Sequence, residues 1–198
     1  MNRNNYGYDP TPYQVLQKLV KSGWLRKEDT LVDYGCGKGR VGIFLNNQIG
    51  CRVIGIDFNE RRIRQSNSNL IRYYKNKSRS LYSPRDDNES NPDDFKPKIQ
   101  FIHSKAEEYV PDEANCFYFF NPFSPEILHK AMARILESYY ENPREVLLFF
   151  YYPSEEYLSY LMMVNELEYY DEIPCGDLFE GKNARERIVI FSLPCRKL

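Results

Sequence analysis

Residues 33–40 read DYGCGKGR, with the apolar pair Leu31-Val32 directly before them and Val41-Gly42-Ile43-Phe44-Leu45 directly after. An apolar run, alternating glycines and a second apolar run read as strand, tight turn and helix. Glycine is the residue that lets a backbone turn sharply and pass close to something else. Working outward, Cys51-Arg52-Val53-Ile54-Gly55-Ile56-Asp57 reads as a second strand, followed by a long polar helix from Asn59 to about Lys77. Further strands are expected at 99–103 (IQFIH), 116–120 (CFYFF) and 146–152 (VLLFFYY), with two late ones near 166–172 and 187–193. Helices are expected after Ser124-Pro125 and after Ser154, serines that suit the position before a first helical turn. Near-continuous apolar strands alternating with helices predict a mostly parallel sheet covered on both faces. The final strand-to-strand step predicts an antiparallel edge.

The chain has 198 residues, which fits one domain over 1–198 with a proper core. Lys and Arg number 27 against 28 Asp and Glu, so the whole molecule is not drawn to polyanions or membrane surfaces, although a local patch remains open. No apolar run reaches membrane-spanning length, and without an apolar stretch in residues 1–13 no secretory signal is expected. Five scattered cysteines with no CxxC argue against a disulfide framework or a metal site and fit a reducing cytoplasm. Residues 78–97, polar and with three prolines, read as a surface insertion. Thr11-Pro12-Tyr13-Gln14 has the form of a capping box with proline at the first helical position. The helix at 59–77 carries Arg61, Arg62, Arg64, Arg72, Lys75 and Lys77; such a run is usually a solvated face.

Three ligands compete for the glycine turn. A P-loop needs a hydroxyl residue after its lysine, and here Lys38 is followed by Gly39. The dinucleotide fingerprint G-x-G-x-x-G finds Gly35 and Gly37 but meets Arg40 at its third glycine, which makes a nicotinamide enzyme awkward. What fits is acid-x-G-x-G-x-G, Asp33 to Gly39. This resembles the first motif of the class I S-adenosyl-L-methionine-dependent methyltransferases. The resemblance implies their Rossmann-like α/β fold, a seven-stranded, mostly parallel sheet ending in an antiparallel hairpin.

By that resemblance, Asp33 faces the cofactor's ammonium, and the turn at Gly35, Cys36 and Gly37 passes close to its methionine part. Asp57, 20 residues beyond Gly37, takes the ribose hydroxyls, and Phe58 packs on the adenine. The family's usual acid near the adenine amine is replaced by Lys105, in the run His103-Ser104-Lys105-Ala106-Glu107. A lysine cannot accept the amine's hydrogen bond. Either Ser104 or a main-chain carbonyl does so, or Lys105 points to solvent and the Ala106 amide touches the ring. Thr11 and Tyr13, in the stretch YDPTPY, resemble the segment lying over the methionine end in several amino-methyltransferases, and with 1–29 they suggest a lid or substrate wall.

Phe119-Phe120-Asn121-Pro122-Phe123 resembles the N/D-P-P-Y/F motif of enzymes that methylate planar amines on nucleobases and glutamine side chains. Carried over, the Asn121 side chain and the Pro122 carbonyl accept hydrogen bonds from the amine while Phe123 stacks on the substrate, and Asn121 also touches the cofactor. Asn-Pro is also an ordinary turn starter and Phe123 an ordinary core residue. The expectation is therefore a methyltransferase acting on nitrogen, most directly on a nucleobase, with RNA a candidate partner. The alternatives are a protein side chain, a small molecule, or a non-catalytic cofactor-binding regulator.

Overall fold

The computed structural model of the chain describes residues 10–80, 98–181 and 183–195. Its strands are β1 (Thr30–Tyr34), β2 (Arg52–Asp57), β3 (Ile99–His103), β4 (Cys116–Phe119), β5 (Val146–Tyr151), β6 (Glu168–Pro174) and β7 (Arg187–Leu193). They form one seven-stranded sheet in the order β3-β2-β1-β4-β5-β7-β6. The first five strands in that order pair in parallel, and β7 runs antiparallel to both β5 and β6. This is the Rossmann-like architecture expected from the sequence.

The strands look uniformly apolar because both faces are covered. On one face Val32, Tyr34, Ile54, Ile56, Phe117, Phe119, Leu148 and Phe150 pack against α4 (Pro125–Glu141) and α5 (Glu155–Leu161). On the other, Leu31, Val53, Tyr118, Phe149 and Tyr151 meet Leu16 and Leu19 of α1 (Tyr13–Ser22) and Leu45 of α2 (Arg40–Ile49). The period-two alternation of β geometry thus sends successive residues into two separate cores. Ser154 caps α5 as expected, accepting the Tyr157 amide at 3.2 Å.

Two expectations are corrected. Pro12 is the cap residue itself rather than the first helical one, and Thr11 caps nothing. Its buried hydroxyl lies 3.1 Å from the Tyr118 hydroxyl, because a buried phenol competes for it more effectively than amides exposed at a helix end. The long helix α3 runs Glu60–Ser80, so the first three residues of the expected insertion at 78–97 continue the helix. Residues 81–97, and the first nine with Tyr6 and Tyr8, lie outside the described residues.

Among the described residues no helix is long and apolar enough to cross a membrane, and no group of three or more His, Cys, Asp or Glu stands ready for a metal.

Candidate functional site

The carboxyl ends of β1, β2, β4 and β5 open into a cavity of about 1090 Å³. This is where the strand order reverses around β1, the usual ligand crevice of an open α/β sheet. The glycine turn forms one side. It is pinned to the end of β2, because the amides of Gly35 and Cys36 both donate to the Ile56 carbonyl, at 2.8 and 3.0 Å.

Each glycine of the turn answers to a protein neighbour. Gly35 has φ of 74°, and a methyl group there would overlap Pro122. Gly39, at 80°, would meet the Phe101 ring in the same way. Gly37 donates its amide to Asp57 Oδ2 at 3.0 Å. Gly42, one turn into α2, would crowd Val53. Gly39 and Gly42 therefore provide the close helix-to-sheet packing that the sequence expectation found missing at Arg40. The backbone at 35–39 is thus packed closely against protein.

Asp33 and Asp57 both line the cavity and are almost fully buried. Asp57 is held from two sides, by the Gly37 amide and by the Asn59 amide on Oδ1 at 2.8 Å, with Arg62 at 3.7 Å. Asp33 is the opposite case, since its Oδ2 is buried without a hydrogen-bond partner. Burial first, and then the nearby charge of Asp57, push the Asp33 carboxyl up to about 8. A positively charged group placed beside it would remove that penalty.

A pH dependence follows. The folded chain binds the Asp33 proton more tightly than the unfolded chain does. The stability contributed by the neutral carboxyl is full below the ordinary carboxylate value of 3.8 and declines until the pH passes about 8. Asp33→Asn, which has no charge to bury, is expected to unfold at the same urea concentration as the parent near pH 4. It should exceed the parent increasingly toward pH 8. Urea midpoints that stay parallel across that range would show that Asp33 is already ionised in the fold.

Cys36 is buried on the cavity wall with its Cβ against Gly55, and burial raises its thiol, as befits a packing residue. Phe58 is 41% exposed at the mouth, its carbonyl bound to the His103 ring at 2.9 Å. Lys105 borders the cavity with its exposed ammonium paired to Glu108, and Ala106 beside it is buried. Thr11 lines the cavity, tied to Tyr118 and, through its carbonyl, to Arg40 Nη1 at 3.4 Å.

Tyr13 does not line the cavity. Its half-exposed ring rests on Phe44, at 5.3 Å between centroids, with the Arg40 guanidinium 4.6 Å above it. Arg40 therefore clamps the start of α1 onto the glycine turn.

Beside the glycine turn, Asn121 stands at φ 38°, a left-handed conformation that asparagine tolerates better than most residues. Its Nδ2 donates to the Tyr152 carbonyl at 2.6 Å. A carbonyl can only accept, so the amide orientation is fixed by its partner. Oδ1 is left buried without a hydrogen-bond partner. Pro122 covers Gly35, so the two turns seat each other.

Phe123 is corrected. It borders the cavity but is only 4% exposed, edge-on to Phe119, and its carbonyl accepts the Tyr157 hydroxyl at 2.6 Å. It belongs to the core and offers no open stacking platform. Less buried rings at this end of the cavity belong to Phe120, Tyr152 and Phe179. The sequence did not single out Tyr152 or Arg185, whose guanidinium lies 4.2 Å over the Tyr152 ring.

The fold resembles that of known methyltransferases. No protein-family profile matches the sequence. A protein-lysine N-methyltransferase from Saccharolobus islandicus is 30% identical over 64 residues, which cover 32% of this chain and 40% of that protein. The chain thus matches well under half the length of this curated relative. An RNA methyltransferase from Salinibacter ruber, solved with S-adenosyl-L-homocysteine, superposes with a TM-score of 0.58 at 15% identity over 96% of this chain and 97% of that one. An rRNA methylase from Streptococcus thermophilus gives 0.56 at 14% identity over 96% and 100%. The chain therefore has the seven-stranded Rossmann-like fold of these methyltransferases.

Proposed function

We propose that the protein is an S-adenosyl-L-methionine-dependent methyltransferase whose acceptor is a planar amine, foremost the exocyclic amine of a nucleobase in RNA. The observation that carries this reading is the pair of buried, unpartnered oxygens on one cavity's lining residues, Asn121 Oδ1 and Asp33 Oδ2. When bound, the cofactor supplies an electrophilic methyl group on a sulfonium sulfur. Asp33 offers its empty oxygen to the ammonium, and Asp57 uses its remaining lone pairs for the ribose hydroxyls. Asn121 Oδ1 accepts an N–H of the acceptor, which holds the nitrogen with its lone pair turned toward the methyl. Once nucleophile and methyl are aligned and water is excluded, methyl transfer needs little acid–base help.

A second reading, methylation of a lysine side chain, is favoured by the partial similarity to the Saccharolobus protein-lysine enzyme. Both readings need an amine acceptor beside Asn121.

The test begins with calorimetric titration of the full chain with S-adenosyl-L-methionine at pH 7 in buffers of different ionisation enthalpy. Micromolar binding is expected with release of roughly one proton, as Asp33 ionises against the ammonium. Transfer of labelled methyl to RNA, protein and metabolite fractions then separates the acceptors. Label in RNA upholds the leading reading, and label in protein favours the second. Binding without transfer to any fraction favours a regulatory cofactor-binding protein. No binding sinks all three.

A further inference from the structure

We propose that Arg185 is a positioning residue of this site. Acting through the main-chain carbonyl of Tyr152, it holds the Asn121 amide in the orientation that leaves Oδ1 for the acceptor. This rests on the reading of Asn121 as the acceptor-facing group.

Among the described residues only Asn121 and Tyr152 are non-glycine residues with positive φ, at 38° and 53°. They follow the adjacent parallel strands β4 and β5. Conformations of this kind are strained and persist only where the surroundings over-determine them. Here the surroundings come from one short segment leading into β7.

Arg185 Nη2 donates to the Tyr152 carbonyl at 3.2 Å and Nε to the Pro153 carbonyl at 3.1 Å. The same guanidinium lies 4.2 Å over the Tyr152 ring. Asn183 Nδ2 holds the Tyr152 hydroxyl at 2.6 Å, while Asn183 Oδ1 accepts the Arg185 amide at 3.0 Å. The Tyr152 amide donates to the Arg187 carbonyl at 2.9 Å. Ring, hydroxyl, amide and carbonyl of Tyr152 are all fixed, and the fixed carbonyl takes Asn121 Nδ2.

A planar, five-donor guanidinium can stack on a ring and fork across two carbonyls together, and a lysine ammonium cannot. With that support gone, the Tyr152 turn loosens. The Asn121 amide can then rotate and present Nδ2 to an amine, donor against donor. Turnover should suffer, while Asp33 and Asp57, which make no bond to Arg185 or Tyr152, keep the cofactor affinity.

The experiment follows the Asn121 side-chain amide in spectra of the nitrogen-15-labelled full chain, assigned by its disappearance in Asn121→Gly. The parent should show one slowly exchanging pair. In Arg185→Ala that pair should exchange about tenfold faster or more, as expected when a protecting contact opens locally. Arg185→Lys should behave nearly as badly, and Asn183→Ala less so. If Arg185→Ala does not fold, Arg185→Lys carries the test.

An amide pair unchanged in the folded Arg185 variant overturns the proposal. In parallel, labelled-methyl transfer to bulk RNA should fall roughly 10–100-fold in turnover, with S-adenosyl-L-methionine affinity kept within about twofold. A parent that labels no RNA, together with a loosened amide in Arg185→Ala, would sink the RNA reading and uphold the positioning role.

Discussion

Replacing Asp57 with alanine is expected to weaken S-adenosyl-L-methionine binding by about two orders of magnitude or more, read by calorimetry. Hydrogen bonds to a charged group contribute about 1.5–3 kcal/mol each, and on the proposed function two ribose hydroxyls are at stake. The loss has a second source inside the protein. Asp57 is the partner of the Gly37 amide at 3.0 Å, so its removal also releases the middle of the glycine turn.

Asp57→Asn separates the two contributions. Its amide must turn either a nitrogen or an oxygen toward the Gly37 N–H, and only the oxygen is tolerated there. The nitrogen then lies toward the Asn59 amide, which now reaches Oδ1 at 2.8 Å. Asparagine is therefore expected to weaken binding by about tenfold and to lower the unfolding midpoint less than alanine does. Affinity unchanged in both variants would mean that no ligand hydroxyl reaches this carboxylate. The turn would then have to be read as purely structural.

The sheet was legible because burial on both faces leaves a parallel strand nothing but apolar residues, as 116–120 and 146–152 show. The placement of the two acids on the cavity was legible because each stands at the carboxyl end of its strand, in fixed spacing to the glycines. Thr11 was misread because local pattern placed it at a helix start, while the partner that won its hydroxyl, Tyr118, stands 107 residues away. Tyr13 was assigned to the cofactor by its neighbours in sequence. Its ring is claimed instead by Arg40 and Phe44, which no local spacing announces. Phe123 could have been platform or core, and the pattern was the same for both. Arg185 left no signal at all: it acts on main-chain carbonyls 32 and 33 residues away, and a carbonyl looks the same behind every side chain.

The second large effect concerns Asn121, and the choice of variant matters. Alanine at φ 38° adds backbone strain to the loss of the amide, because left-handed backbone is costly for any residue with a Cβ. Glycine removes the side chain and keeps the backbone. Asn121→Gly is thus expected to bind S-adenosyl-L-methionine within about twofold of the parent and to lose roughly 10²–10³-fold in turnover, the range found when a single preorganised polar group is deleted from an active site. Asn121→Asp gives a sharper result. It keeps an oxygen for the acceptor but sets its second oxygen against the Tyr152 carbonyl, where Nδ2 now donates at 2.6 Å. Two acceptors facing each other in a buried space repel, so the carboxylate must swing away or take up a proton. The aspartate variant should therefore fall well below the parent despite being the stronger acceptor, and recover in part at lower pH as the proton restores a donor toward Tyr152. Full activity in Asn121→Gly would remove the acceptor role. Full activity in Asn121→Asp across the pH range would keep that role and show that the bond to Tyr152 contributes nothing to it.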